Sequence, residues 1–206
     1  TLWQLLERRA ELTPQAPMLI DGRKHLHMTF VQALDIAERL AAGFYELGIS
    51  AGSQVTWMLP TGLPAVMTAL ALARLGALQN PIISLYGERE VHGVLEGNGS
   101  EFLLVPDNGE RDFPAMAERL CQQLEWPPQV IVMGNQLPRG RASSLPPPPS
   151  DGQAVRWAYY TSGTTSQPKG ACHTDESLMI GGRNLARSMS VSAADVGSVA
   201  FPYGHI

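Results

Sequence analysis

The chain has 206 residues, an apolar content of 44% and a formal net charge of −4. This composition is typical of a globular protein with a core, and the absence of a Lys/Arg-rich patch argues against nucleic acid as the main partner. Its two cysteines, Cys121 and Cys172, do not indicate a disulfide framework. No apolar run reaches the roughly 20 residues of a transmembrane helix, and no signal peptide is recognisable, so we expect a cytoplasmic protein.

The amino-terminal quarter predicts two helices with a hairpin between them. Apolar residues at helical spacing predict a helix over 1–12. Asp21-Gly22 separates two short strand patterns, 18–20 and 25–28, and is a strong hairpin signal. Thr29 can cap the second helix and Gly48 can close it.

Residues 55–133 alternate between strand patterns and helical patterns. Strands are predicted at 55–59, 78–83, 102–105 and 130–133, and helices at 63–75, 88–95 and 113–124. Such repetition implies parallel strands joined by crossover helices, because parallel neighbours cannot be joined by a tight turn. We therefore predict an α/β fold, a doubly wound, largely parallel sheet with flanking helices.

A proline-rich segment, 135–152, separates this region from the next strand pattern. It contains four consecutive prolines at 146–149, which predicts an exposed, partly extended loop. The loop need not be a domain boundary, because a strand predicted at 154–158 follows at once. Beyond residue 170 the pattern predicts a helix over 177–189 and a strand over 196–201.

Between these parts lies a loop rich in hydroxyl groups, Tyr160-Thr161-Ser162-Gly163-Thr164-Thr165-Ser166-Gln167-Pro168-Lys169-Gly170. Its place at the end of a strand is where α/β proteins bind ligands. Glycines permit tight turns, the hydroxyls are donors and Lys169 is a cation, a combination that suits a polyphosphate. An ordinary surface turn is the alternative. Because Lys169 precedes Gly170, the loop is not the G-x-x-x-x-G-K-[ST] loop of common kinases and ATPases.

The segment closely resembles the Y-T-S-G-T-T-G-x-P-K-G phosphate loop of the adenylate-forming enzymes, which include acyl-CoA synthetases, luciferases and the adenylation domains of peptide synthetases. Shorter segments in the same order along the chain, such as Asn80-Pro81-Ile82, resemble acyl-CoA synthetases. Two residues depart from the family pattern. Ser166 stands where the family usually has glycine, and a side chain there restricts conformations with φ > 0. Asp175 occupies a position that the family often gives to histidine.

This resemblance implies that residues 1–206 are an incomplete part of the large N-terminal domain of such an enzyme, whose C-terminal domain is absent here. In the family a carboxylate attacks the α-phosphate of ATP, pyrophosphate leaves, and the acyl-adenylate usually passes to coenzyme A. By resemblance the nucleotide and Mg²⁺ are held by the loop, with Thr161 near the metal, and Thr161 and Lys169 act in catalysis. The nucleotide-binding set is Thr161, Ser162, Gly163, Thr164, Thr165, Ser166, Lys169 and Gly170.

A second short match lies near the end of the chain. Pro202-Tyr203-Gly204-His205 resembles the P-L-F-H segment that lies beside the carboxylate substrate in this family. The resemblance implies that Tyr203 and His205 border the acyl group. As a strand-end turn, the segment would need no function.

We therefore expect the N-terminal portion of an acyl- or aryl-CoA synthetase that uses ATP, Mg²⁺ and coenzyme A, is inactive alone and works with its own C-terminal domain. One alternative is a non-catalytic interaction or regulatory module derived from such an enzyme. Another is a phosphotransferase with a novel phosphate loop. Pyrophosphate exchange separates the first alternative from an enzyme, and release of AMP rather than ADP excludes the second.

Overall fold

A computed structural model describes residues 1–22, 26–107, 111–161, 169–199 and 201–204, and only the backbone of Leu26 and Thr161. In chain order the elements are α1 (Leu2–Leu12), β1 (Pro17–Asp21), β2 (Leu26–Thr29), α2 (Phe30–Glu46), β3 (Gln54–Trp57), α3 (Leu63–Leu75), β4 (Leu78–Pro81), α4 (Glu88–Asn98), β5 (Phe102–Pro106), α5 (Phe113–Gln123), β6 (Gln129–Met133), β7 (Val155–Thr161), β8 (Lys169–Thr174) and α6 (Asp175–Ser188). A short 3₁₀ turn spans Ala142–Ser144.

The larger sheet has six strands in the order β6-β5-β3-β4-β7-β8. All neighbours pair in parallel except β7 and β8, which form an antiparallel hairpin at the edge. β1 and β2 form a separate antiparallel pair, as the sequence predicted. The α/β prediction with a largely parallel sheet is confirmed.

Helices cover both faces of this sheet, because neighbouring strand residues enter different cores. Leu104 of β5 belongs to a core that includes Trp3 of α1 and Leu72 of α3, whereas the preceding residue, Leu103, belongs to a core with Leu120 of α5. Side chains on a strand alternate between faces, so these two cores lie on opposite sides. The doubly wound arrangement is therefore confirmed as well.

Local capping explains where several helices begin. Thr29 accepts a hydrogen bond from the Gln32 amide and Gln32 returns one to the Thr29 amide, which forms a capping box before α2. Thr1 and Thr174 cap α1 and α6 in the same way. Helix ends are also set by local sequence. Gly76 ends α3 with a φ of +73°, a conformation that favours glycine.

Much of the proline-rich segment 135–152 is exposed, yet part of it touches α2 backbone to backbone. The Gly140 amide donates to the carbonyl of Arg39 at 2.9 Å. A Cβ on Gly43 would lie 2.7 Å from backbone atoms of Pro138 and Arg139. The absence of a side chain at Gly43 is therefore what lets this segment lie on the helix.

The structure corrects the sequence prediction in the carboxyl-terminal part of the chain. The strand predicted over 196–201 is wrong, because residues 196–199 and 201 form no strand there. Its apolar side chains are exposed, with 77% of Val196, 71% of Val199 and 76% of Phe201 accessible. β8 was not predicted at all. Within the described residues, no helix is both long and apolar enough to cross a membrane.

Candidate functional site

The predicted phosphate loop joins the two strands of the β7–β8 hairpin. Tyr160 pairs with Gly170 and Thr161 pairs with Lys169, so both ends of the motif are fixed in strands. The loop itself, with Ser162, Gly163, Thr164, Thr165 and Ser166, lies outside the described residues, as does the side chain of Thr161. Thr161 ends β7, and the carboxyl ends of parallel strands are where α/β sheets bind ligands.

Lys169 and Gly170 begin β8, and both are exposed. A Cβ on Gly170 would lie 3.1 Å from two ring carbons of Tyr160, so a larger residue would displace the ring. The same tyrosine reaches towards α4, since a Cβ on Gly97 would lie 3.6 Å from its hydroxyl. Burial raises the pKa of the Tyr160 phenol. Glycine at 170 thus lets the ring of Tyr160 cover the start of β8.

The segment that contains Tyr203 lies across the carboxyl ends of β3 and β4. The Tyr203 amide donates to Thr61 Oγ1 at 2.8 Å, and the Tyr203 ring centroid is 5.7 Å from that of Trp57. A Cβ on Gly204 would lie 3.0 Å from the carbonyl carbon of Ile82. Thr61 follows β3 and Ile82 follows β4, so the segment is held where these two strands end. His205 lies outside the described residues.

Tyr159 of β7 lies close to Tyr203, so β7 also borders this region. Burial raises the pKa of Tyr203 to about 12. Burial and, secondly, the neighbouring Tyr203 raise the pKa of Tyr159. Both phenols are therefore neutral at physiological pH and would serve as apolar walls or hydrogen-bond donors rather than as bases.

An aromatic row continues from Tyr159 along the hairpin. The rings of Trp157 and Tyr159 are stacked at 6.1 Å with an interplanar angle of 4°, and Tyr159 meets the edge of His173 at 6.0 Å. This row stiffens the β-ribbon below the loop, since aromatic neighbours on one face of a ribbon stabilise strand pairing.

Three features of the site were missed from the sequence. Thr61 follows a predicted strand and precedes Gly62, which indicated only a turn, and its contact with Tyr203 spans 142 residues. β8 has no apolar alternation that would predict a strand. Asp175 was noted only as a departure from a family pattern, whereas the structure buries it.

Thr161 at the end of β7 and the segment with Tyr203 thus both lie at the carboxyl ends of the parallel strands. The profile of the family described as AMP-binding enzyme matches residues 6–206. The chain belongs to this family.

Several relatives of this AMP-binding chain are described as CoA ligases. It is 30% identical to the sulfoacetate–CoA ligase of Cupriavidus necator over 100% of its own length and 41% of that ligase. It is 26% identical to the long-chain-fatty-acid–CoA ligase FadD13 of Mycobacterium tuberculosis, over 98% of the chain and 40% of the relative. The chain thus spans about two fifths of the length of the curated relatives it matches.

Solved structures share the fold of the AMP-binding chain. The N-terminal domain of FACL13 from Mycobacterium tuberculosis, bound to an inhibitor, superposes with a TM-score of 0.77 at 25% identity, over 99% of this chain and 52% of that one. The o-succinylbenzoate–CoA synthetase MenE of Bacillus subtilis, in complex with ATP and magnesium, gives a TM-score of 0.81 at 22% identity, over 98% and 40%. The latter likeness is one of fold alone.

Proposed function

We propose that this chain is the ATP-binding part of an acyl- or aryl-CoA synthetase. The whole protein would activate a carboxylic acid with ATP, release pyrophosphate and transfer the acyl group from the adenylate to coenzyme A. The observation that carries this proposal is the β7–β8 hairpin, which fixes Thr161 and Lys169 on either side of a hydroxyl-rich loop at the carboxyl end of β7. The relatives described as CoA ligases support the reaction class.

The difficulty of the first step is electrostatic, because a carboxylate must approach a polyphosphate of the same sign. Such a site needs a cation, oriented donors and a metal ion rather than a protein nucleophile. Lys169 is an exposed cation in a fixed strand position beside the loop, and we assign it to the charge that develops on pyrophosphate. The hydroxyls and amides of 161–165, with Ser166 and Gly170 at the flank, are assigned to the β- and γ-phosphates.

Mg²⁺ fits this assignment in its chemistry, since it prefers hard oxygen ligands and is usually shared with phosphates rather than enclosed by protein. Among the described residues, no cluster of three or more His, Cys, Asp or Glu side chains is placed to hold a metal. Thr161 is the residue we assign beside the ion. When bound, Mg²⁺ would neutralise part of the phosphate charge.

The acyl group is assigned to the carboxyl ends of β3 and β4. Tyr203 lies there against Trp57, and its backbone is held by Thr61. Aromatic walls of this kind favour an acyl or aryl group. His205 is assigned to the same pocket by its place two residues further on.

The proposal is tested by carboxylate-dependent exchange between ATP and pyrophosphate, with a panel of acids, in a protein extended to the length of the relatives. We expect exchange in the extended protein, formation of AMP rather than ADP, and no exchange in residues 1–206 alone. Absence of exchange with every acid, in a folded extended protein, would favour a non-catalytic interaction or regulatory module.

A single substitution sharpens this test. Lys169→Ala in the extended protein should slow exchange by about one to three orders of magnitude, because a cation aimed at developing charge is lost. Arg8→Ala is the matched control, since Arg8 is an exposed cation on α1, away from the hairpin. Equal exchange rates for the two variants would refute the assignment of Lys169 to the pyrophosphate charge.

A further inference from the structure

Asp175 is a buried residue whose carboxyl group accepts two hydrogen bonds, and it forms no ion pair with any residue that the structure describes. Only 1% of the residue is exposed, although it begins α6 directly after the exposed hairpin strand β8. Its Oδ2 accepts the backbone amide of Leu2 at 2.9 Å, and its Oδ1 accepts the indole Nε1–H of Trp157 at 2.8 Å. Burial of a carboxylate is costly unless its oxygens are hydrogen-bonded, and here each oxygen has a donor.

These two hydrogen bonds join three elements at one point. Leu2 is the first residue of α1, Trp157 belongs to β7, and Asp175 is the first residue of α6. The carboxylate therefore lies at the amino-terminal ends of two helices, where their dipoles favour negative charge. It ties the base of the β7–β8 hairpin to α1.

The hairpin needs such a tie at this place, because its strand pairing is irregular there. Val155 pairs with Thr174 and Trp157 with His173, so Arg156 lies at a shift in register. The Arg156 side chain donates to the carbonyl of Gly76 at 2.9 Å, which anchors the irregular residue to the end of α3. Trp157 is anchored to Asp175 instead. The base of the hairpin is thus fixed by two side chains where its ladder of hydrogen bonds is weakest.

A carboxylate suits this position better than the histidine that the family often has. Two donors, the Leu2 amide and the Trp157 indole, point at two oxygens of one side chain. A neutral imidazole has one acceptor nitrogen, so it would leave one of these donors without a partner. The two donors around residue 175 therefore favour the aspartate of this chain over a histidine.

We propose that Asp175 is a positioning residue for the phosphate loop: its carboxylate locks the base of the hairpin to α1 and thereby fixes the strands that carry residues 162–168. The link to ATP rests on the proposed function, whereas the lock itself can be tested without a nucleotide.

The effect of Asp175 on the hairpin can be measured by proteolysis of residues 1–206, because the chain has few lysines. Lys24 and Lys169 are its only lysines, so a lysine-specific endoproteinase has two sites. The bond after Lys169 joins two residues that pair with β7, Lys169 with Thr161 and Gly170 with Tyr160, so its cleavage requires that these pairs open. Cleavage of briefly opened states follows the opening equilibrium when closing is fast. The bond after Lys24 serves as the internal reference.

Asp175→Asn keeps the shape but turns one acceptor into a donor, so one of the two hydrogen bonds is lost. We expect the rate of cleavage after Lys169, relative to that after Lys24, to rise about 10- to 100-fold, the range for a lost bond to a buried charged group. Asp175→His should give a rise of the same kind. An equal rise at both sites would mean that Asp175 stabilises the whole chain without preference for the hairpin, and would overturn the proposal, as would no change.

Two further variants keep the test sharp. Trp157→Phe removes the indole donor and also leaves a cavity in the core, so the coupling between the two substitutions is the informative quantity. Trp157→Phe should also expose Lys169, and adding Asp175→Asn should then have a smaller effect than it has alone. Additive effects would contradict a lock through Trp157. Ser100→Ala is the matched control, because Ser100 is a buried hydroxyl bonded to Thr56 of the inner strand β3, which is separated from the hairpin by β4. It should not favour cleavage at either lysine.

The effect of Asp175 on ATP binding is tested by pyrophosphate exchange in the extended protein. We expect Asp175→Asn to raise the KM for ATP by a larger factor than it lowers kcat, since a misplaced loop weakens binding of the phosphates. An unchanged KM together with an opened hairpin would overturn the positioning role. If the unsubstituted protein shows no exchange, the proposed function is refuted. The cleavage experiment would still test whether Asp175 fixes the base of the hairpin.

Discussion

The contact between α2 and the proline-rich segment predicts that a normally favourable substitution will be harmful. Gly43 is in the interior of α2, where alanine is favoured over glycine by about 1 kcal/mol. A Cβ at 43 would lie 2.7 Å from the Pro138 carbonyl carbon and the Arg139 nitrogen, whereas carbon atoms pack at about 3.5–4.0 Å. The segment would have to move away from the helix by about 1 Å.

That displacement has a calculable cost. It strains the hydrogen bond from the Gly140 amide to the Arg39 carbonyl, worth about 1 kcal/mol, and overpacking costs typically about 1–3 kcal/mol. After subtraction of the gain in helix propensity, Gly43→Ala should lower the free energy of unfolding by roughly 1–3 kcal/mol. In a chain of this size the melting temperature should fall by roughly 2–12 °C.

Gly181→Ala is the matched control for this effect. Gly181 also lies within a helix, α6, but a Cβ built there would meet no atom of another described residue within 4 Å. Thermal unfolding followed by circular dichroism should therefore show Gly181→Ala to be neutral or stabilising and Gly43→Ala to be destabilising. If both variants gain stability, the close approach of the segment to α2 is refuted.

Two other predictions concern the site. Because the pKa of Tyr203 is raised to about 12, the unfolded chain loses this proton near pH 10 while the folded chain keeps it, so stability should fall between about pH 10 and 12. Tyr203→Phe should flatten that fall in urea titrations across the range, and an identical slope in both proteins would contradict burial of the phenol. Ser166→Gly should change the KM for ATP or the turnover in the extended protein by about two- to fivefold, because glycine frees the loop backbone. An unchanged KM and an unchanged turnover would show that serine at position 166 has no effect on catalysis.

Local signals made α2 predictable from the sequence. Its capping box needs only Thr29 and Gln32, three residues apart, and its end needs only the glycine at 48, whose φ is +99°. The parallel sheet was predictable for a similar reason, since each strand pattern and each helix pattern is contained in a short window. The order of the strands was not, because pairing is decided by contacts distant in the sequence.

Nonlocal pairing also explains the errors. Residues 196–201 include Val196, Val199 and Phe201, which favour a strand, yet a strand requires a neighbour. The backbone of Tyr203, just beyond, is held by Thr61 instead. The segment 169–174 has no such pattern but becomes β8, because β7 supplies a partner across the loop. Likewise, nothing near Asp175 in the sequence indicates its bond to Leu2.

The bond between Leu2 and Asp175 has a consequence for the order in which the chain acquires its structure during synthesis. The two residues are 173 positions apart, so helix α1 leaves the ribosome long before its partner exists. At about 5–20 residues per second, the wait is roughly 9–35 s. During that time the Leu2 amide lacks the acceptor that it has in the folded chain. The amino end of α1 is therefore fixed by this bond only after all the elements from β1 to β8 have been made.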